Sequence, residues 1–125
     1  MSRQTHRILA VEDDRETLLL YQHTLGKTFT YFEAVSVSQA LTILRRETID
    51  LVVLDLSLKG PKDGLDLART IRTTPEWKSI PIVAVTAHAF LEDRKNVLDA
   101  GCDDYVSKPV RIATLLDIIR KHLPE

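Results

Sequence analysis

The chain has 125 residues, 44% of them hydrophobic and 28% charged, with a formal net charge of −1. This is the size and balance of one globular domain, and it gives no reason to expect binding to nucleic acid. No apolar run approaches the ~20 residues of a membrane span, and residues 1–7 lack the apolar stretch of a signal peptide. The single cysteine, Cys102, cannot form an internal disulfide, which suits a reducing compartment. We expect it to be a buried hydrophobic residue. We therefore expect one cytoplasmic domain over residues 1–125, without membrane insertion and without a second, output domain.

Short β-rich runs alternate with helical patterns along the whole chain. The predicted strands cover residues 8–11, 29–32, 51–54, 82–85 and 105–106. The first, third and fourth are apolar on both faces, which is typical of strands covered on both sides. Parallel strands joined by right-handed helical crossovers are the economical solution, so the alternation predicts an α/β fold.

The connecting segments carry apolar residues at helical spacing. In the first of them Leu18, Tyr21 and Leu25 form the stripe, and Gly26 is predicted to end the helix. The remaining patterns are Val37-Ala40-Leu41-Leu44, then Leu67-Ala68-Ile71 closed by Pro75, a weaker segment 91–100 closed by Gly101, and Ile112-Leu115-Leu116-Ile119 ending near His122.

Polar side chains follow four of the strands, at the edge where an open parallel sheet binds its ligands. They are Glu12, Asp13 and Asp14 after the first strand, Asp55 after the third, Thr86 after the fourth, and Ser107 and Lys108 after the fifth. Converging carboxylates stay ionised only with a cation among them, and oxygen ligands without Cys or clustered His favour Mg²⁺. Each residue alone could have a structural role: Asp14 or Thr86 could cap a helix, and the others could be solvated loop groups. Together, however, they indicate a phosphate-binding site in which a carboxylate can be the nucleophile.

These segments resemble the receiver domain of two-component response regulators. The matching stretches are residues 8–14, 50–56, 81–87 and 101–109. The resemblance implies a doubly wound, flavodoxin-like (βα)5 sheet with strand order 2-1-3-4-5.

The resemblance also implies a role for each residue of the site. Asp55 would accept the phosphoryl group, Asp13 and Asp55 would bind Mg²⁺ directly, and Glu12 would act through metal-bound water. The backbone carbonyl of Ser57 would be a further ligand, and Lys108 would pair first with the carboxylate and then with the phosphoryl group. The proposed chemistry is in-line transfer from phosphohistidine, with later hydrolysis by water.

Further positions are implied as parts of the switch. Thr86 would move to the phosphoryl group and Tyr105 would then turn inward, changing the surface of the fourth helix, fifth strand and fifth helix. Ser57 and His88 would tune hydrolysis, and Pro109 is expected to follow a cis peptide bond.

The expected partners are a sensor histidine kinase or histidine phosphotransfer protein upstream and an unknown protein downstream. The family meets its donor on the first helix, here through Arg15, Leu18, Tyr21 and Gln22. Three alternatives stay open: a receiver cut from a hybrid histidine kinase or longer regulator, an interaction module independent of phosphate, and a phosphatase. The last is disfavoured because Ser57 stands where such enzymes carry a second acid.

Two features depart from the family pattern or lie outside it. Lys59 replaces the usual proline in a loop that is one residue longer, and Lys59 and Lys62 add positive charge beside the predicted site. Trp77 either marks a partner surface or covers the end of a helix.

Overall fold

A computed structural model describes residues 6–56, 64–87, 95 and 97–123. Its strands form one sheet and are β1 (Arg7–Val11), β2 (Thr30–Ala34), β3 (Leu51–Asp55), β4 (Ile82–Thr86) and β5 (Asp104–Ser107). All neighbours are parallel, in the order β2-β1-β3-β4-β5, so the predicted doubly wound sheet is confirmed. We call the edge at the ends of the strands the carboxyl edge, and the edge at their beginnings the amino edge.

The helices lie on both faces of this sheet. They are α1 (Arg15–Thr28), α2 (Val37–Arg46), α3 (Gly64–Thr73) and the C-terminal helix α4 (Ile112–His122), and residues 97–99 are also helical. Gly101 has a φ of 107° and follows this last helical turn, which confirms it as a helix terminator. Among the described residues, no helix has the length and apolarity needed to span a bilayer.

The predicted end of α1 at Gly26 is wrong, because the helix continues to Thr28. Gly26 does not adopt a positive φ, so nothing in its backbone stops the helix. The helix ends instead at Phe29, which turns to extended backbone while its N–H still bonds to the Leu25 carbonyl. For the same reason β2 begins at Thr30, one residue later than predicted.

Two apolar layers form the core, one on each face of the sheet. Within β1, Leu9 and Val11 pack on the side of α2 and α3, whereas Ile8 and Ala10 pack on the side of α1 and α4. This alternation explains why residues 8–11 of β1, 51–54 of β3 and 82–85 of β4 are all apolar, since both faces of these strands are covered. Cys102 is buried in the first layer, and burial raises the pKa of its thiol to about 12, as expected of a structural cysteine.

Arg72 joins several elements at the amino edge. From the end of α3 its guanidinium donates hydrogen bonds to the carbonyls of Gly101, Lys78 and Ile80, at 2.6 to 3.0 Å. It also pairs with Asp103, whose carboxylate accepts the N–H of the first residue of β4. One side chain therefore ties α3, the connection to β4 and the turn before β5.

Candidate functional site

Asp55 is the last residue of β3, the middle strand of the sheet, and is only 2% exposed. The next residue, Leu56, donates its N–H to the carbonyl of Val85 on β4. The parallel pairing therefore continues to the carboxyl edge and fixes the backbone of Asp55. Its Oδ1 lies 3.3 Å from Nζ of Lys108, so the two predicted residues form an ion pair.

The turn from β1 into α1 brings the acidic residues to the same place. Glu12 extends β1 by donating its N–H to the carbonyl of Ala34, at 2.9 Å. Asp14 then caps α1 through the N–H of Thr17, and its own N–H donates to Oε2 of Glu12 at 3.1 Å. The predicted capping role of Asp14 is confirmed, and the cap holds Glu12 against the sheet.

The carboxyl group of Glu12 is almost completely buried, with 1% of the residue exposed. Burial, and then its hydrogen bond with the Asp55 carboxyl group, raise the pKa of Glu12 to about 8. Lys108 opposes this rise, with its Nζ 3.8 Å from Oε1 of Glu12. The single ammonium group does not balance the buried acids, so the pocket favours an added positive charge.

Oxygen atoms of Glu12, Asp13 and Asp55 lie within 4.8 Å of one another, close enough to surround one ion. The set consists of carboxylates, without a thiolate or imidazole, which is the donor chemistry that Mg²⁺ prefers. The residues present therefore fit a magnesium ion.

Thr86 and Lys108 are joined by the backbone. Thr86 ends β4 and is buried, and its carbonyl accepts the N–H of Lys108 at 2.8 Å. Since β4 pairs with β5 up to Thr86 and Ser107, both residues stand at the carboxyl edge beside Asp55. The peptide bond before Pro109 is cis, as predicted, and Tyr105 is half-buried against the core layer of α2 and α3.

The prediction for the donor-binding face of α1 is partly wrong. Leu18 and Tyr21 are buried in the core, at 7% and 1% exposure, and cannot contact a partner. Both residues belong to the apolar stripe that helical spacing predicts, and that stripe faces the core. The apolar residues that α1 exposes are Leu19 and Leu20.

One residue of the site was not singled out from the sequence. Gly64 begins α3, and a Cβ atom there would lie 2.7 Å from the carbonyl oxygen of Asp55 and 3.0 Å from the Cα of Leu56. The glycine lets α3 start directly against the end of β3. The available signal in the sequence is the glycine itself, which directly precedes the apolar pattern of α3.

Ser57, His88 and the predicted loop departure at Lys59, Gly60 and Pro61 lie outside the described residues. Their roles as backbone ligand, tuning positions and altered loop stay predictions.

The model of the response regulator receiver domain matches residues 8–120. The chain therefore belongs to this family and is a receiver domain of the two-component type.

Relatives fall both in sensor proteins and in regulators. The chain is 33% identical over 125 residues to sensor protein GacS of Pseudomonas syringae pv. syringae, covering 97% of this chain but only 14% of that protein. It is similar to the receiver domain of sensor histidine kinase PA1611 of Pseudomonas aeruginosa PAO1, solved with magnesium in the active-site cleft, at 30% identity and a TM-score of 0.85 over 94% of this chain and 97% of the other. It is also similar to the BeF3-activated receiver domain of Klebsiella pneumoniae RstA, at 35% identity and a TM-score of 0.86 over 96% and 100% of the two chains.

Proposed function

We propose that Asp55 accepts a phosphoryl group from a phosphohistidine of a sensor histidine kinase or histidine phosphotransfer protein. The observation that carries this proposal is the buried Asp55 carboxylate at the end of the middle strand, with Lys108 at 3.3 Å and the carboxylates of Glu12 and Asp13 beside it. The buried strand fixes the nucleophile at the carboxyl edge, which is where an open parallel sheet binds its ligands.

In the proposed transfer, an Oδ of Asp55 forms a bond to phosphorus as the phosphorus–nitrogen bond of the donor breaks. The bonding electrons return to the imidazole nitrogen, which takes up a proton, and Asp55 becomes an acyl phosphate. Lys108 leaves its pairing with the carboxylate and neutralises charge on the transferred group. Water later cleaves the acyl phosphate and restores Asp55.

Mg²⁺, held by Asp13 and Asp55 with Glu12 acting through water and Ser57 through its carbonyl, would supply positive charge to the phosphoryl oxygens. Thr86 would donate its hydroxyl to one of these oxygens. Because the Thr86 carbonyl accepts the N–H of Lys108, a shift of the Thr86 backbone would also move the start of the loop after β5.

Tyr105 would carry the change to the surface. It lies on β5, which has a strand neighbour on one side only, and it is half-buried against the core layer of α2 and α3. The proposed output is a changed surface around β5 that binds an unidentified downstream protein. In this proposal the chain catalyses only its own phosphorylation and dephosphorylation, and acts as a cytoplasmic receiver domain over residues 1–125.

The test is incubation with Mg²⁺ and phosphoramidate, followed by intact mass measurement. We expect a gain of one phosphoryl group in the wild type and none in Asp55→Asn. Asp50→Asn is the matched control, because Asp50 is another buried aspartate, just before β3, whose carboxylate accepts a backbone N–H of Arg7. An equal gain in Asp55→Asn, or none in a folded wild type with Mg²⁺ and beryllofluoride also tried, would overturn the proposal.

A further inference from the structure

A groove of about 610 Å³ opens at the amino edge, between the end of α2 and the connection from α3 to β4. Leu44 and Ile49 lie under it, each 5% exposed, and Trp77 and Ile80 pack beside them as half-buried walls. We call this feature the Trp77 groove. It lies at the opposite edge of the sheet from Asp55, and the proposed phosphotransfer does not use it.

The charge at the rim of the groove is unequal. Arg45 and Arg46, in the last turn of α2, are exposed, and their side chains make no hydrogen bond or ion pair with the described residues. Glu47 is already held by Arg7, with 2.6 Å between Nη2 and Oε1. Glu76 is the other acid of the lining, and no ion pair joins it to the part of the chain that the structure describes, so the lining holds two arginines and one such carboxylate.

The wall that carries Trp77 is held in shape before any partner arrives. The N–H of Trp77 bonds to the carbonyl of Thr74, and the Trp77 carbonyl accepts the N–H of Ile80, both at 2.9 Å. Arg72 donates to the carbonyls of Lys78 and Ile80, in the segment that follows Trp77. A preformed wall lowers the entropy that a partner must overcome on binding.

We propose that the Trp77 groove binds a peptide segment of a partner protein in which an acidic residue stands next to an aliphatic or aromatic one. The apolar side chain would cover Leu44 and Ile49 beside the indole. The acidic side chain would pair with the guanidinium groups of Arg45 and Arg46, which bind carboxylates in a planar, two-pronged geometry. Because the groove is remote from Asp55, this docking would tether the domain in both phosphorylation states.

The experiment selects phage-displayed random dodecapeptides on the full chain and counter-selects on the double variant Arg45→Glu/Arg46→Glu. We expect enriched sequences that combine Asp or Glu with an adjacent large apolar residue. Trp77 is the only tryptophan of the chain, so its fluorescence reports directly whether the enriched synthetic peptide enters the groove.

Reversing both charges should weaken peptide binding by at least about tenfold, because attraction becomes like-charge repulsion. Arg120→Glu is the matched control, since Arg120 is an exposed arginine in the last turn of α4, and it should bind the peptide as the wild type does. All three proteins should gain the phosphoryl group equally, which separates this test from that of Asp55.

Three results would overturn the proposal. One is no enrichment over the counter-selection, and another is enriched peptides without acidic residues. The third is a Trp77 signal that changes with protein concentration alone, which would make a second copy of the chain the occupant.

Discussion

Lys108 is the only cation of the described residues within 4.0 Å of Asp55 or Glu12, at 3.3 and 3.8 Å. We expect Lys108→Met to slow phosphorylation by phosphoramidate about a hundredfold, the scale of losing one preorganised charge in a reaction site. The rate is measured by intact mass against time. Lys121→Met removes a lysine that is 71% exposed and only loosely paired with Asp104, and should leave the rate unchanged. Equal rates for both variants would contradict the role of Lys108.

Glu12 gives the folded domain a pH dependence. Burial, followed by the hydrogen bond with Asp55, raises its pKa from 4.5 to about 8, so the folded state keeps a proton that the unfolded chain releases. The contribution of protonated Glu12 to the free energy of unfolding is therefore full below pH 4.5 and is lost as the pH rises to about 8. Its slope is at most about 1.4 kcal/mol per pH unit, because a single proton is involved.

The measurement is urea unfolding in EDTA between pH 5 and 8, for the wild type and for Glu12→Gln. The wild type should lose stability relative to the variant as the pH rises, because only the wild type must release this proton. Glu16→Gln, at an exposed position in the first turn of α1, should parallel the wild type. A constant difference between wild type and Glu12→Gln across the range would show that Glu12 does not titrate there.

At the scale of elements, two glycines of helices differ in the space around them. In Gly64→Ala the new Cβ would meet the backbone of Asp55 and Leu56 at 2.7 and 3.0 Å, and backbone cannot move aside cheaply. We expect a loss of about 1–3 kcal/mol in unfolding free energy and slower phosphorylation, since α3 must shift from the end of β3.

The matched change is Gly26→Ala in α1. Its Cβ would meet only the Cβ of Tyr31, at 4.0 Å, and alanine is favoured over glycine within a helix by about 0.5–1 kcal/mol. This variant should therefore be more stable than the wild type in urea unfolding. The same sign for both variants would contradict the contact inferred at Gly64.

An element can be predicted from the sequence when the residues that determine it lie within or next to it in the chain. The strands at Leu51–Asp55 and Ile82–Thr86 were predictable because two-sided burial requires continuous apolar runs, and α1 begins where Asp14 can cap it. The end of α1 was missed because Gly26 can remain helical when nothing requires a positive φ. The strand order came from the family resemblance, since periodicity does not state which strands are neighbours.

The candidate site was predictable in its membership and less so in its energetics. Strand ends place Asp13, Asp55, Thr86 and Lys108 at one edge whatever the details of packing. The burial of Glu12 depends on its extra hydrogen bond to Ala34 on a neighbouring strand, which is a tertiary contact. The prediction for Leu18 and Tyr21 was wrong for the same reason, because a helical stripe shows which residues are apolar but not which residues pack against them.

At the scale of the whole molecule, Arg72 connects parts that are distant in sequence. Arg72→Met would remove its bonds to three carbonyls and to Asp103, two of which, to Gly101 and Ile80, are partly buried. We expect a loss of about 3 kcal/mol in the free energy of unfolding. The midpoint of urea unfolding reports it.

Arg69→Met is the control for this change, because Arg69 lies on the same helix, has a side chain that is 56% exposed and, among the described residues, pairs only with Asp66. Such a pair contributes at most about 1 kcal/mol. An equal loss of unfolding free energy in the two variants would show that Arg72 does not link α3, β4 and β5.

The central place of β3 has a consequence for the time scales of the domain. Asp55 lies on a strand bonded on both sides, whereas Lys108 follows the edge strand β5. Amide hydrogens of such a middle strand exchange with solvent only when the whole domain opens, and those of an edge exchange through smaller, more frequent openings. The proposed chemical step would then occur on slowly exchanging backbone, and the proposed change would reach the surface through β5, where exchange is faster.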